Sequence, residues 1–197
     1  MPDSLYLSLW FPHVSGPEIL PHAMAVLQQF PFSAQRPGIA YVAVQPVSWN
    51  EATVLERRFS PGIAPEEAIL ISADLVHDDY AFIFDAYWDL WMPEEMGEQW
   101  KLVPSPVKFI VQGEEFDEGT YAQDGHILVD FGLDSPFLQE NVALTEETQA
   151  KVRDNVSKLV EFTMKAEKNT RATARLLWSE SEENLAQKLV ARLQKVQ

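Results

Sequence analysis

The sequence predicts an α+β fold with a ferredoxin-like βαββαβ core, extended by a β-hairpin and two C-terminal helices. Three observations point there. Apolar residues over positions 1–100 alternate or recur at helical spacing in the order strand, helix, strand, strand, helix, strand. Both helical runs open on a Pro-Glu pair, and the two middle strands are joined by the turn-forming SWNE.

The first strand is SLYLSLWF, residues 4–11, with Leu5, Leu7, Leu9 and Phe11 on one side and Ser4, Tyr6, Ser8 and Trp10 on the other. After Ser15 and Gly16, Pro17 and Glu18 start a helix whose Ile19, Ala23, Val26, Leu27 and Phe30 share a face until Pro31 stops it. IAYVAVQPV (39–47) and ATVLERRF (52–59) read as a hairpin, after which SPG at 60–62 breaks the chain. Pro65, Glu66 and Glu67 open the second helix, which carries Ala68, Ile69, Ser72, Ala73 and Val76. Proline suits the first helical position, and acids suit the positive end of the helix dipole.

The run from Tyr80 to Trp91, YAFIFDAYWDLW, closes the core. Seven of its twelve residues are aromatic or β-branched, which favours strand over helix. As a strand it presents Tyr80, Phe82, Phe84, Ala86, Trp88 and Leu90 on one face and Asp85, Tyr87, Asp89 and Trp91 on the other. Asp85 and Asp89 are then about 13 Å apart, beyond the roughly 5 to 9.5 Å of a glycosidase carboxylate pair, so they do not form a self-sufficient acid/base couple.

VPSPVKFIVQG (103–113) and GHILVDFG (125–132) read as two further strands around an acidic connection. The last third reads as helical throughout. Thr145 with Glu146 and Glu147 marks one start, and Val152, Val156, Leu159, Val160 and Thr163 form its apolar stripe. Ser179 and Ser181 mark another, with Ser179 and Glu182 at capping-box spacing ahead of Leu185, Leu189, Leu193 and Val196. The 197 residues fit one domain: a core over 1–100, two strands with an acidic loop over 101–144, and a helical segment over 145–197.

Charge is unevenly spread. The formal net charge is −15, yet residues 1–144 hold 22 Asp or Glu against five Lys or Arg, while residues 145–197 hold eight against ten. Such an acidic body repels phosphate backbones, which excludes nucleic acid and anionic membrane as natural partners and permits basic proteins and cationic or aromatic small ligands. With no cysteine there is no disulfide, thiolate nucleophile or Cys-type metal site. The start lacks a basic n-region and no apolar run reaches the length of a membrane span, so a cytoplasmic protein is expected.

No P-loop, Rossmann, GxSxG or HExxH pattern occurs. His13, His22, His77 and His126 lack metal-ligand spacing, and the acids from Glu114 to Asp124 lack the EF-hand order, so neither metal nor cofactor is expected.

In a ferredoxin-like sheet the first strand lies beside the fourth, which brings Tyr6, Ser8 and Trp10 next to Asp85, Tyr87, Asp89 and Trp91. Arg57 and Arg58, neighbours on a strand, point to opposite faces, one of them toward these acids. The expected binding set is therefore Tyr6, Trp10, Arg57, Arg58, Asp85, Tyr87, Asp89 and Trp91. That face is to be covered by the chain's own C-terminal helices, by a second copy in a homodimer, or by a ligand. The expected function is non-catalytic binding through this aromatic and acidic face. The alternative is an enzyme acting on a small molecule in a cavity above it, with an aspartate as general acid or base.

Overall fold

The computed structural model describes residues 2–94, 99–140, 143–180 and 184–194. Seven strands form one antiparallel sheet: β1 (Ser4–Trp10), β2 (Ile39–Pro46), β3 (Leu55–Ile63), β4 (Tyr80–Pro93), β5 (Trp100–Gln112), β6 (Ile127–Leu133) and β7 (Ala174–Ser179). Six α-helices accompany it among the described residues: α1 (Ile19–Leu27), α2 (Pro65–Ala73), α3 (Tyr121–Asp124), α4 (Ser135–Leu138), α5 (Glu146–Lys168) and α6 (Leu185–Leu193).

The strand order is β3-β2-β4-β5-β6-β1-β7, which departs from the ferredoxin-like arrangement. There β1 would lie between β3 and β4. Here β1 is flanked by β6 and β7, and β5 takes the place beside β4. The physical reason is local. β4 and β5 pair over their whole lengths, from Ala81 opposite Gln112 to Pro93 opposite Trp100. A hairpin closes with little loss of chain entropy, and it occupies the flank of β4 that a distant β1 would have needed.

The faces follow the alternation of the sequence. Leu5, Leu7, Leu9, Phe82, Phe84, Ala86, Trp88 and Leu90 are buried together with Phe109, Val129 and Phe131 on the inner face. α1 and α5 lie over it. Phe30, just beyond α1, stacks on Trp88 at 5.5 Å and meets Phe109 and Phe162 edge-on at 5.1 and 5.4 Å. Trp88 in turn stacks on Phe131 at 5.2 Å. α6 adds Leu185 and Leu189 to the same core. The C-terminal helices therefore cover the same face as α1, and the aromatic and acidic face stays outside.

α5 begins as expected, with the Thr145 hydroxyl accepting from the N–H of Thr148, and its second task is to close a sheet edge. β2 pairs with β4 only as far as Ala86, leaving the main chain of residues 87–93 without a strand on that flank. The Ser33 N–H donates to the Tyr87 carbonyl at 2.7 Å, and the Lys158 ammonium to the Asp89 carbonyl at 2.5 Å. Asn155, 1% exposed, then pairs like a peptide group: its Oδ1 accepts from the Trp91 N–H and its Nδ2 donates to the Trp91 carbonyl, both at 2.8 Å. The same Nδ2 also donates to the Pro136 carbonyl at 2.9 Å. Buried main-chain groups need such partners, and a capped edge offers no template for another chain.

Two further corrections concern the chain path. Ala174–Ser179 is an edge strand on β1, where the helical reading of the last third had placed none. Its ARLLWS run is short and flanked by helical stretches, so local pattern does not reveal it. SPG at 60–62 does not break β3, which continues to Ile63 through a register shift opposite Ile39. Glycine permits the close passage there: a Cβ on Gly62 would run into the Pro37 carbonyl, and Gly38 has φ +79°. Ser181, Glu182 and Val196, part of the expected last helix, lie outside the described residues.

Candidate functional site: the outer face of the sheet

Strand register draws one line of side chains across all seven strands. Arg58 on β3 is opposite Tyr41 on β2, and Tyr41 is opposite Asp85 on β4. Asp85 is opposite Lys108 on β5, which is opposite Asp130 on β6. Asp130 is opposite Tyr6 on β1, and Tyr6 is opposite Trp178 on β7. The row thus runs cation, phenol, acid, cation, acid, phenol, indole. The row beside it is apolar at its centre: Ala43, Ile83, Ile110 and Leu128 stand in register between Glu56 at one end and Ser8 and Leu176 at the other.

Local contacts hold the ends. The Arg58 guanidinium lies over the Tyr41 ring at 5.0 Å and within 3.8 Å of the Glu56 carboxylate. At the far end Tyr6 and Trp178 stack at 4.7 Å, and the Trp178 indole N–H donates to Ser8 Oγ at 2.9 Å. Below the row, Arg36 covers the ring of Tyr87 at 3.8 Å.

The centre is less settled. Asp85 Oδ1 is buried without a hydrogen-bond partner. Burial pushes the Asp85 carboxyl above its ordinary pKa; Lys108 and Arg58 oppose that rise, and Asp130 adds to it. Asp130 is different, because its Oδ1 accepts from the Gly132 N–H at 2.8 Å. Burial also raises the Tyr41 phenol, with the Glu56 carboxylate as the next cause, so it remains a proton donor at neutral pH.

Of the eight expected residues, Tyr6, Arg58 and Asp85 share this row and Tyr87 lies just below it. The other four are elsewhere. Asp89 anchors a loop, accepting from Ser33 Oγ at 2.5 Å and the Ala34 N–H at 2.9 Å. Trp91 sits at the edge under α5, with Lys151 over its ring at 5.2 Å. The Trp10 indole donates to the Tyr121 carbonyl at 3.0 Å beside α3. Arg57 is paired with Val42, whose side chain is in the core, so it stands on the helix side of an edge strand. Tyr41, Lys108, Asp130 and Trp178 belong to the row and escaped the sequence reading, since their strands had no known register.

Three cavities bounded by described residues lie away from this face. One runs along α5 beside Gln29 and Pro31, one lies between α5, Arg175 and Leu193, and one lies between His13, His22 and Arg171. Among the described residues no group of three or more His, Asp or Glu is placed to hold a metal ion, and no helix is long and apolar enough to cross a membrane.

Comparison with protein-family models, with curated proteins and with solved structures finds no match.

Proposed function

We propose that this chain is a binding protein whose working surface is the outer face of the sheet, and that its partner is a protein. The single observation that supports this most is the row from Arg58 to Trp178: opposite charges, phenols and an indole lie in register on the face opposite α1 and α5. A sheet face presenting aromatic groups and charges of both signs suits a second macromolecular surface better than a small molecule, which needs a concave site.

Site-specific photocrosslinking in the expressing cell tests the assignment. A photoreactive residue at Pro106 or Leu176, on the outer face, is expected to give discrete adducts. Leu70 on α2 and Met164 on α5, exposed on the opposite side, are expected to give few. Adduct yields at Leu70 and Met164 equal to or above those at Pro106 and Leu176 would overturn the assignment.

A further inference from the structure

We infer that the partner of the outer face is a second copy of this chain, docked face to face about a two-fold axis that runs along the strands between β4 and β5. The inference rests on the binding role proposed above and specifies its occupant. A two-fold axis parallel to the strands keeps each row at its own level and exchanges strands across the axis, so the residue on β4 meets the residue on the partner's β5. Asp85 of each copy then faces Lys108 of the other. Tyr41 faces Asp130, and Arg58 faces the ring of Tyr6. In the neighbouring row Ile110 and Leu128 are half-buried and meet the level of Ile83 and Ala43, which are already buried within each copy.

Other axes do worse. An axis across the strands sets Asp85 on Asp85 and Lys108 on Lys108. One along β5 itself sets Lys108 on Lys108 and Asp85 on Asp130. An axis between β5 and β6 joins Lys108 to Asp130 and sets Asp85 against Tyr6, with no cation of the second copy on it. Only the axis between β4 and β5 sets Lys108 of each copy against Asp85 of the other.

The charge of the whole chain argues for the same face. Two bodies of net charge −15 repel each other, so contact is disfavoured wherever the surface is uniformly acidic and eased where it is locally balanced. Residues 1–144 hold five basic side chains, Arg36, Arg57, Arg58, Lys101 and Lys108, and three of these (Arg36, Arg58 and Lys108) lie on the outer face. They stand against Asp85, Asp130 and Glu56. Area sets the strength. The contact rests on the row from Arg58 to Tyr6, with Ile110, Leu128, Tyr87, Pro106 and Arg36 about it, because Ala43 and Ile83 of the second row are already buried in the single copy. So small an interface is expected to form and dissociate with concentration.

Sedimentation equilibrium on the full chain, from about 1 to about 300 µM, is the test for an interface of this size. The wild-type mass is expected to rise from one copy toward two. Asp85→Lys and Lys108→Asp alone set like charges together twice and are each expected to weaken association about tenfold or more. An equimolar mixture of the two variants is expected to assemble again, because each copy then supplies the charge that the other lacks. Lys108 is exposed, so Lys108→Asp decides the matter alone if Asp85→Lys does not fold. A wild-type mass of one copy throughout the range, or a dimer that Lys108→Asp leaves unchanged, would overturn the inference. A monomer that still gives crosslinked adducts of another mass at Pro106 and Leu176 would retire the dimer and keep the binding face; loss of those adducts would retire both.

Discussion

Lys108 stands directly opposite Asp85 on the outer face of the sheet, yet Asp85 Oδ1 is buried without a hydrogen-bond partner. A buried carboxylate oxygen lacking a hydrogen-bond partner weakens the fold when the group is ionised.

The isolated chain should therefore gain stability from Asp85→Asn. Burial raises the folded pKa of Asp85 above its unfolded value, so the carboxyl favours folding below the unfolded pKa, where it is protonated, and that contribution is lost as pH rises through the folded pKa. Thermal melts at low protein concentration should show Asp85→Asn with a higher Tm than wild type at pH 7, and the difference should shrink as pH falls through the carboxylate range. An unchanged or lower Tm for the variant at pH 7 would show that the carboxylate is well satisfied in solution.

His126 should act in the opposite sense. Its Nδ1 accepts from the Phe11 N–H at 2.9 Å, so the ring proton sits on Nε2, 3.1 Å from Glu114, with Tyr121 stacked at 4.7 Å. Burial lowers its pKa, against an upward pull from Glu114. The stability it contributes is complete above the ordinary histidine value of about 6.5 and falls as pH drops from there toward the lower folded value. Melts between pH 7.5 and 5 should show a steeper decline for wild type than for His126→Gln; parallel curves would contradict this.

Asn155→Ala should be among the costlier single changes outside the aromatic core. It strips partners from the Trp91 N–H and carbonyl and from the Pro136 carbonyl. Deleting one amide that serves several buried main-chain groups should cost about 2 to 4 kcal/mol, a fall in Tm of about 5 to 15 °C for a chain of this size. Denaturant unfolding gives the free energy directly, and a loss below about 1 kcal/mol would mean that water or a shifted strand replaces the amide.

The two faces should differ sharply in their tolerance of truncation. Phe162→Ala opens a hole among Phe30, Phe109 and Phe131 and should cost about 3 to 5 kcal/mol. Lys108→Ala, at an exposed position, should change monomer stability by less than about 0.5 kcal/mol. Comparable losses from both would show that the outer face is packed in the monomer too.

Much of the fold was legible before any pairing was known. The alternation in SLYLSLWF and YAFIFDAYWDLW assigns each side chain to its face, because strand geometry sends successive residues to opposite sides, and the buried set follows that assignment from Leu5 to Leu90. Helix starts at Pro65 and Thr145 were likewise readable from capping chemistry and the helix dipole, which act over a single turn. The candidate site was legible only in part. Asp85 and Asp89 look equivalent along the strand, but the pairing of β2 with β4 ends at Ala86, so Asp89 falls beside the Ser33 loop and becomes its anchor while Asp85 remains in the outer row.

Side-chain period, charge distribution and helix starts belong to the sequence alone, since each is decided by residues a few positions apart. Neighbours across the sheet do not. Whether Lys108 or Tyr6 stands beside Asp85 depends on which strands pair and in which register, and that is set by the long β4–β5 hairpin, by the core that α1 and α5 bury against the inner face, and by the strand β7 that extends the far edge. Those choices come from competition among long-range contacts for the same strand flanks. They turn scattered residues of six sequence segments and a seventh unforeseen one into a single row.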